Sequence, residues 1–251
     1  VIVLKTPAEL AVMDRANALV HETLRLVAEA ARPGVSTLEL DRLAEERILA
    51  GGGRPAFKGY RGYPATLCTS INDVIVHGIP STSQRLREGD ILGLDCGVVL
   101  DGFVGDAAVT VPIGKASEQA TQLLKVTREC LELAVEVVRP GRRLTDIGQT
   151  IQAHAEAAGF SVVRELVGHG IGRSMHEDPQ VYNFGPGGRG PELRPGLALA
   201  IEPMVNAGGP GVNFDDDGWT ARTEDGKLSA HFEYSVAVTE NGPWVLGVGG
   251  T

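Results

Sequence analysis

Although 43% of the 251 residues are hydrophobic, no apolar run is long enough to span a bilayer. This excludes a helical membrane span and predicts a soluble globular chain of one large or two small domains. The apolar stretch at Val1 to Leu4 is too short for a secretory signal and leads straight into a helix start, so the expected location is the cytoplasm. The chain opens on Val1 in place of Met, which fits either trimming or excision of an initiator Met. Cysteine is scarce: Cys68, Cys96 and Cys130 make an odd number without Cys-x-x-Cys spacing, which argues against a disulfide framework and a thiolate zinc site. Basic residues are outnumbered, 23 against 32 acidic, and the formal net charge of −9 argues against a stable nucleic-acid or anionic membrane partner. Aromatic residues are only 5% of the chain, yet Tyr60 and Tyr63 share one Gly-rich segment.

What is present is acid in an unexpected place. The stretch LGLDCGVVLDGFVGDAAVTV, Leu92 to Val111, reads as two strands joined by a tight turn at Asp101-Gly102. Asp95 and Asp106 then lie inside the strands, where Asp is disfavoured and an unpaired buried carboxylate costs several kcal/mol. A two-residue turn sets Asp95 opposite Ala108 and Asp106 opposite Gly97, so the carboxylates become diagonal neighbours on one face. Either that face is solvated, or something cationic sits between them.

An internal repeat decides between these. Thr6-Pro7-Ala8-Glu9 predicts a helix running to about Ala30, closed by Arg32-Pro33-Gly34; Ser36-Thr37-Leu38-Glu39 opens a second that stops at Gly51 to Gly53. In the second half, Ser117 begins a helix that Arg139-Pro140-Gly141 ends, and Leu144 to Ala158 forms another before Gly159. The two Arg-Pro-Gly triplets align at an offset of 107 residues, and at that offset LREGDILGLDCGV falls on LRPGLALAIEPMV, setting Asp95 upon Glu202. After an insertion of 20 residues in the second copy, DAAVTV falls on EYSVAV, setting Asp106 upon Glu233. The segments His77-Gly78-Ile79 and His169-Gly170-Ile171 also share a tripeptide. Two halves, about 1–115 and 116–251, packed about a pseudo-twofold axis would bring four carboxylates together within a single catalytic domain. Helices followed by strands in each half predict an α+β fold, with a curved, mostly antiparallel sheet and helices on its outer face.

Four buried negative charges without compensation exceed the roughly 5 to 15 kcal/mol by which a domain is stable, so cations are required. Carboxylates with one or two imidazoles suit a pair of first-row ions such as Mn, Fe, Co or Zn, about 3.5 to 4 Å apart. No loop carries the alternating Asp/Asn pattern of common calcium sites. His21 and His154 fall within helices, as surface or core-edge residues. His231 stands two residues before Glu233, on the same face if the strand is regular, and is expected to line the site without a metal role. His77, His169 and His176 lie in Gly-rich segments, and the glycines flanking His169 are read as room for close approach of an ion or substrate. The spacing of His169 and His176 does not fit a His-Glu-x-x-His zinc helix.

GYRGYPATLCTSINDVIVHGIP, LDCGVVLDGFVGD, GHGIGRSMHEDPQV, IEPMVN, DGWTARTEDGKLSAHFEYSVAV and the opening KTPAEL together resemble the type I methionine aminopeptidases, in order, over nearly the whole chain. The resemblance implies the duplicated pita-bread fold and two divalent metal ions held by Asp95, Asp106, His169, Glu202 and Glu233. It assigns His77 and His176 to the scissile amide and the tetrahedral intermediate, and Glu202 also to proton transfer. It implies a Met side-chain pocket walled by Tyr60, Tyr63, Cys68 and Trp219, with Phe57 where some relatives have Cys. Asn72 and Ser229 match positions near a monovalent cation site. Tyr234 stands where many relatives have His and points to the opposite face of its strand, so packing is expected to change there. Implied substrates are peptides and nascent chains with N-terminal Met and a small second residue; implied context is a monomer with transient ribosome proximity. Prolidases of the same fold carry a substantial N-terminal domain, whereas this repeat begins almost at Val1; non-enzymatic relatives usually lose ligands, and all five positions are filled here.

Overall fold

The computed structural model describes residues 1 to 249. Each half begins with two helices: α1 (Pro7–Ala30) and α2 (Thr37–Ala50), then α3 (Glu118–Glu136) and α4 (Thr145–Ala157). Capping boxes start the first two, with Thr6 and Ser36 accepting from the Glu9 and Glu39 amides while those glutamates reach back. Strands of the first half are β1 (Arg54–Pro55), β2 (Leu67–Ile71), β3 (Val74–Val76), β4 (Ile91–Leu100) and β5 (Phe103–Pro112). Those of the second are β6 (Ser161–Val162), β7 (Gly168–Gly170), β8 (Glu177–Val181), β9 (Ala198–Ile201), β10 (Met204–Asn206), β11 (Val212–Phe214), β12 (Ala221–Thr223), β13 (Ser229–His231), β14 (Glu233–Thr239) and β15 (Gly242–Val245).

One large sheet runs β1-β4-β5-β14-β9-β7-β8, with β2 also on β4 and β15 also on β14. Every pairing in it is antiparallel. The two halves meet at β5 and β14, where Glu233 is opposite Ala108. Alternation then separates two faces. Leu92, Leu94, Cys96 and Val98 of β4 turn toward α1 and α2, while Leu199, Ile201, Val236 and Val238 turn toward α3 and α4. The residues between them, Asp95 and Glu233 among others, face the concave side. This is the α+β arrangement the sequence pattern predicts.

The repeat recurs in loop hydrogen bonds. The Leu86 amide donates to Val35 O and the Leu193 amide to Arg142 O, each at 2.9 Å and 107 residues apart. The strand pairs differ. Asp95 lies opposite Ala108 as the hairpin geometry requires, with Asp101 and Gly102 both at positive φ. In the second copy the ladder pairs Ile201 with Tyr234, a slip of two residues from the first-copy register. An even slip keeps every side chain on its original face. The second pair is also interrupted at Glu202-Pro203 and at Phe232, where the first copy runs unbroken; Pro203 has no amide to continue the ladder. The 20-residue insertion forms β11 and β12, which join β3 in a small sheet and carry Trp219 in the turn between them.

Candidate metal centre

Five successive strands of the large sheet each deliver one side chain to the concave face. In spatial order β4 gives Asp95, β5 gives Asp106, β14 gives Glu233, the end of β9 gives Glu202 and β7 gives His169. The backbone at these positions is held by buried polar groups. Asn17 of α1 accepts from the Asp106 amide at 3.1 Å, Ser235 donates to Asp106 O at 2.8 Å, and Asn183 donates to Glu202 O at 3.0 Å. The His169 Nδ1 pairs with Gly170 O at 2.9 Å, which aims Nε2 inward.

Ligand atoms of Asp106, His169 and Glu233 lie within 4.8 Å of one another, and so do those of Glu202, His231 and Glu233. His169 Nε2 is 4.0 Å from Asp106 Oδ2 and 3.5 Å from Glu202 Oε1. Asp95 lines the same cavity without joining either triad. An oxygen of each of Asp95, Asp106 and Glu233 is buried without a hydrogen-bond partner. Orphaned buried acceptors are rare and costly, and here three converge.

Burial is the first cause of the electrostatics. It pushes Asp95 and Glu202 up to about 7 each, and pushes Asp106 and Glu233 well above the usual carboxylate range, where neighbouring carboxylates add to it. The same burial lowers His169 and His231, keeping both neutral. Neutral imidazoles beside unpaired acids form an oxygen-and-nitrogen donor set that fits divalent first-row ions. Two donors bonded to one ion at about 2.1 Å with a tetrahedral angle stand about 3.4 Å apart. The 3.5 Å between His169 and Glu202 fits that spacing and is too long for a hydrogen bond.

Above the acids is a cavity of about 180 Å³ lined by Phe57, Tyr60, Tyr63, Cys68, His77, His176 and Trp219, and also by Arg61 and Met175. The Tyr63 hydroxyl sits between the carbonyls of Leu67 (2.8 Å) and Gly78 (3.1 Å), and its ring meets Trp219 edge to face at 5.1 Å. His77 has φ +60, a left-handed conformation that costs a non-glycine residue about 1 to 3 kcal/mol and is held by its surroundings. Burial pushes His77 down to about 4 and lowers His176, whose ring centroid lies 4.3 Å from that of His169 with the planes tilted by 49°.

Several sequence expectations change. The glycines flanking His169 are fixed by neighbouring strands: a Cβ at Gly168 would lie 2.4 Å from Ala200 O, and one at Gly170 2.2 Å from Asp178 O. Backbone approach between strands accounts for them, in place of room for a ligand. The shared His-Gly-Ile tripeptides do not mark equivalent positions, since His169 lies in a strand paired with β9 and His77 follows β3 in a loop. His231 does not line the cavity; its ring nitrogen lies beneath it, within 4.8 Å of ligand atoms of Glu202 and Glu233. Although its strand breaks from β14 at Phe232, Phe232 packs on the helix side, so His231 keeps the face of Glu233 that alternation predicts. Asn72 and Ser229 are bound to each other through backbone, and their side chains are engaged by Ile91, Asp90 and Asn206. Tyr234, by contrast, lies on the helix side as expected and meets His21 edge to face. Asn17, Asn183 and Thr110 carried no local signal, because they act across the fold on backbone groups.

A model described as metallopeptidase family M24 matches residues 11–240. The methionine aminopeptidase of Clostridium perfringens (strain 13 / Type A) is 52% identical over 245 residues, covering 98% of this chain and 98% of that one. The crystal structure of methionine aminopeptidase from Thermotoga maritima superposes with a TM-score of 0.97 at 44% identity, covering 98% of this chain and 99% of the other. Prolidase from Pyrococcus furiosus shares the fold, with a TM-score of 0.80 at 20% identity over 99% of this chain and 66% of that one. No helix among the described residues is long and apolar enough to cross a membrane.

Proposed function

This chain belongs to the methionine aminopeptidases of metallopeptidase family M24, and from that premise we propose how its residues divide the work. The fold is the duplicated pita bread, and the reaction is hydrolytic removal of an N-terminal methionine. In this reading residues 1–251 form one catalytic domain. Asp95, Asp106, His169, Glu202 and Glu233 hold two divalent ions, which when bound supply a Lewis acid for the amide carbonyl and an activated water. Iron, manganese, cobalt and zinc all suit the donors.

The chain's own groups orient the substrate and handle its protons. Tyr60, Tyr63, Cys68 and Trp219 wall the Met side chain, with Phe57 beside them. The free N-terminal amine faces the acidic cluster, which makes the enzyme an exopeptidase. His77 and His176, neutral near pH 7, donate hydrogen bonds to the amide and to the oxygen that gains charge. Glu202, whose carboxylate borders the cavity, carries a proton to the leaving amine in this scheme. In this reading the cavity leaves little room beyond the scissile bond, so the second residue is small. Asn72 and Ser229 supply backbone for a monovalent cation in this scheme. N-terminal Met peptides and nascent chains are the substrates, met in the cytoplasm and close to the ribosome by a monomer.

The single observation that carries the proposal is the delivery of one potential ligand by each of five successive strands, with three oxygens left orphaned at their convergence. Metal content measured together with Met release from Met-Ala-Ser tests it. A chain that binds two ions and releases Met supports the proposal; a metal-free chain of equal activity overturns it.

A further inference from the structure

We propose that His231 is itself a metal ligand, so that each half of the centre carries one imidazole: His169 with Asp106 and Glu233, and His231 with Glu202 and Glu233. The inference rests on the metallopeptidase reading above and adds a nitrogen donor to the five residues it names.

Three observations support it. His231 is 4% exposed, and its Nε2 is buried with no hydrogen-bond partner. That nitrogen lies 3.6 Å from Glu202 Oε2, while His169 Nε2 lies 3.5 Å from Glu202 Oε1, so the two carboxylate oxygens face two imidazoles. Both distances exceed the 2.7–3.2 Å range of an N–H···O hydrogen bond, and both match the separation of about 3.4 Å between two donors on one ion. The residue is also locked in place: Thr110 Oγ1 donates to His231 O at 2.7 Å and accepts from the His231 amide at 2.9 Å, tying β13 to β5. Phe232 turns into the helix-side core, which leaves His231 and Glu233 on the concave side. A neutral buried imidazole aimed at a carboxylate, too far for a hydrogen bond, has the position of a co-ligand.

An imidazole on each ion shifts the donor set toward ions that accept nitrogen readily, such as Zn, Co or Fe, and away from Mn, which suits carboxylate and water. The test uses the full metal-free chain and Co²⁺, read by calorimetric titration and by the visible absorption of bound Co²⁺. Wild type should take up two equivalents. His231→Ala and His231→Gln should each weaken one equivalent by about 100-fold and change its absorption, while His169→Ala weakens the other. His231→Gln keeps a buried polar side chain, so it carries the test if the alanine variant does not fold. Wild-type affinity and spectrum in His231→Gln would overturn the inference alone, leaving His231 a packing or hydrogen-bonding residue. If the wild-type chain binds no Co²⁺ and releases no Met from Met-Ala-Ser, the metallopeptidase reading fails, and the inference falls with it.

Discussion

The Tyr60 hydroxyl and His176 Nδ1 are 2.8 Å apart across 116 residues of sequence. With the phenol donating, the neutral imidazole keeps its proton on Nε2, the atom free to reach a substrate oxygen. Tyr60 thereby selects the tautomer that can donate. His176→Ala should lower kcat by roughly 10² to 10⁴ with metal content near wild type. Tyr60→Phe should lower kcat by about 10-fold, with a smaller change in KM. Loss of metal from the His176 variant would move that residue among the ligands.

Glu202 is asked both to bind metal and to move a proton. Glu202→Gln keeps an oxygen donor and loses the titratable group, so it should retain metal better than it retains turnover. Parallel loss of metal and activity in a titrated series would leave Glu202 a ligand alone.

Stability of the metal-free chain should fall between pH 7 and 8. The buried histidines, lowered in the folded chain, oppose this trend near pH 7, where unfolded imidazoles still hold part of a proton, and hardly at all by pH 8. Asp106 and Glu233, raised well above the carboxylate range, keep protons in the folded chain that the unfolded chain has already lost. A folded state that binds more protons loses stability as pH rises, by up to about 1.4 kcal/mol per pH unit for each such proton. Metal loading removes those protons and should abolish the slope. Equal Tm values for the metal-free chain at both pH values would contradict the buried, unpaired acids.

Lys5 reaches the His176 loop from the other end of the chain. Its Nζ donates to Glu177 Oε2 at 2.6 Å, with the two side chains 3% and 14% exposed, while Glu177 Oε1 accepts from the Arg173 and Ser174 amides. Breaking a buried pair of this kind costs about 3 to 5 kcal/mol. Lys5→Met should lower Tm by that equivalent and lower kcat, with KM and metal content less affected. Lys5→Arg should recover part of both. An unchanged kcat in a folded Lys5→Met chain would show that the loop needs no such anchor.

Substrate range follows from the cavity. Apolar walls separate near-isosteric side chains weakly, so Met should be preferred over Leu by only about 1 to 3 kcal/mol. Rejection of a large second residue should be stronger, because a rigid wall cannot repack. In a Met-X-Ser series under one metal, kcat/KM should be higher for X = Ala or Gly than for Val, and lowest for Lys and Phe. Faster cleavage at Lys or Phe would point to a broader exopeptidase.

The sequence by itself determined the hairpin, the capped helices, the duplication and four acids at repeat-equivalent strand positions. Those features are local, or copied at a constant offset, so periodicity and turn chemistry reveal them: Asp101-Gly102 alone sets Asp95 opposite Ala108. Cavity residues such as Tyr60 and Trp219 were legible through resemblance, not through their own spacing. Alternation across Phe232 sets His231 on the face of Glu233, but only the tertiary structure decided that its nitrogen meets Glu202 from another strand. It also decided that Gly168 and Gly170 serve strand approach, and that Asn17, Asn183, Thr110 and Lys5 hold the site, since each acts on atoms far away in the chain. Periodicity registers a residue's neighbours along the chain, whereas a metal centre is made where five strands from both halves converge.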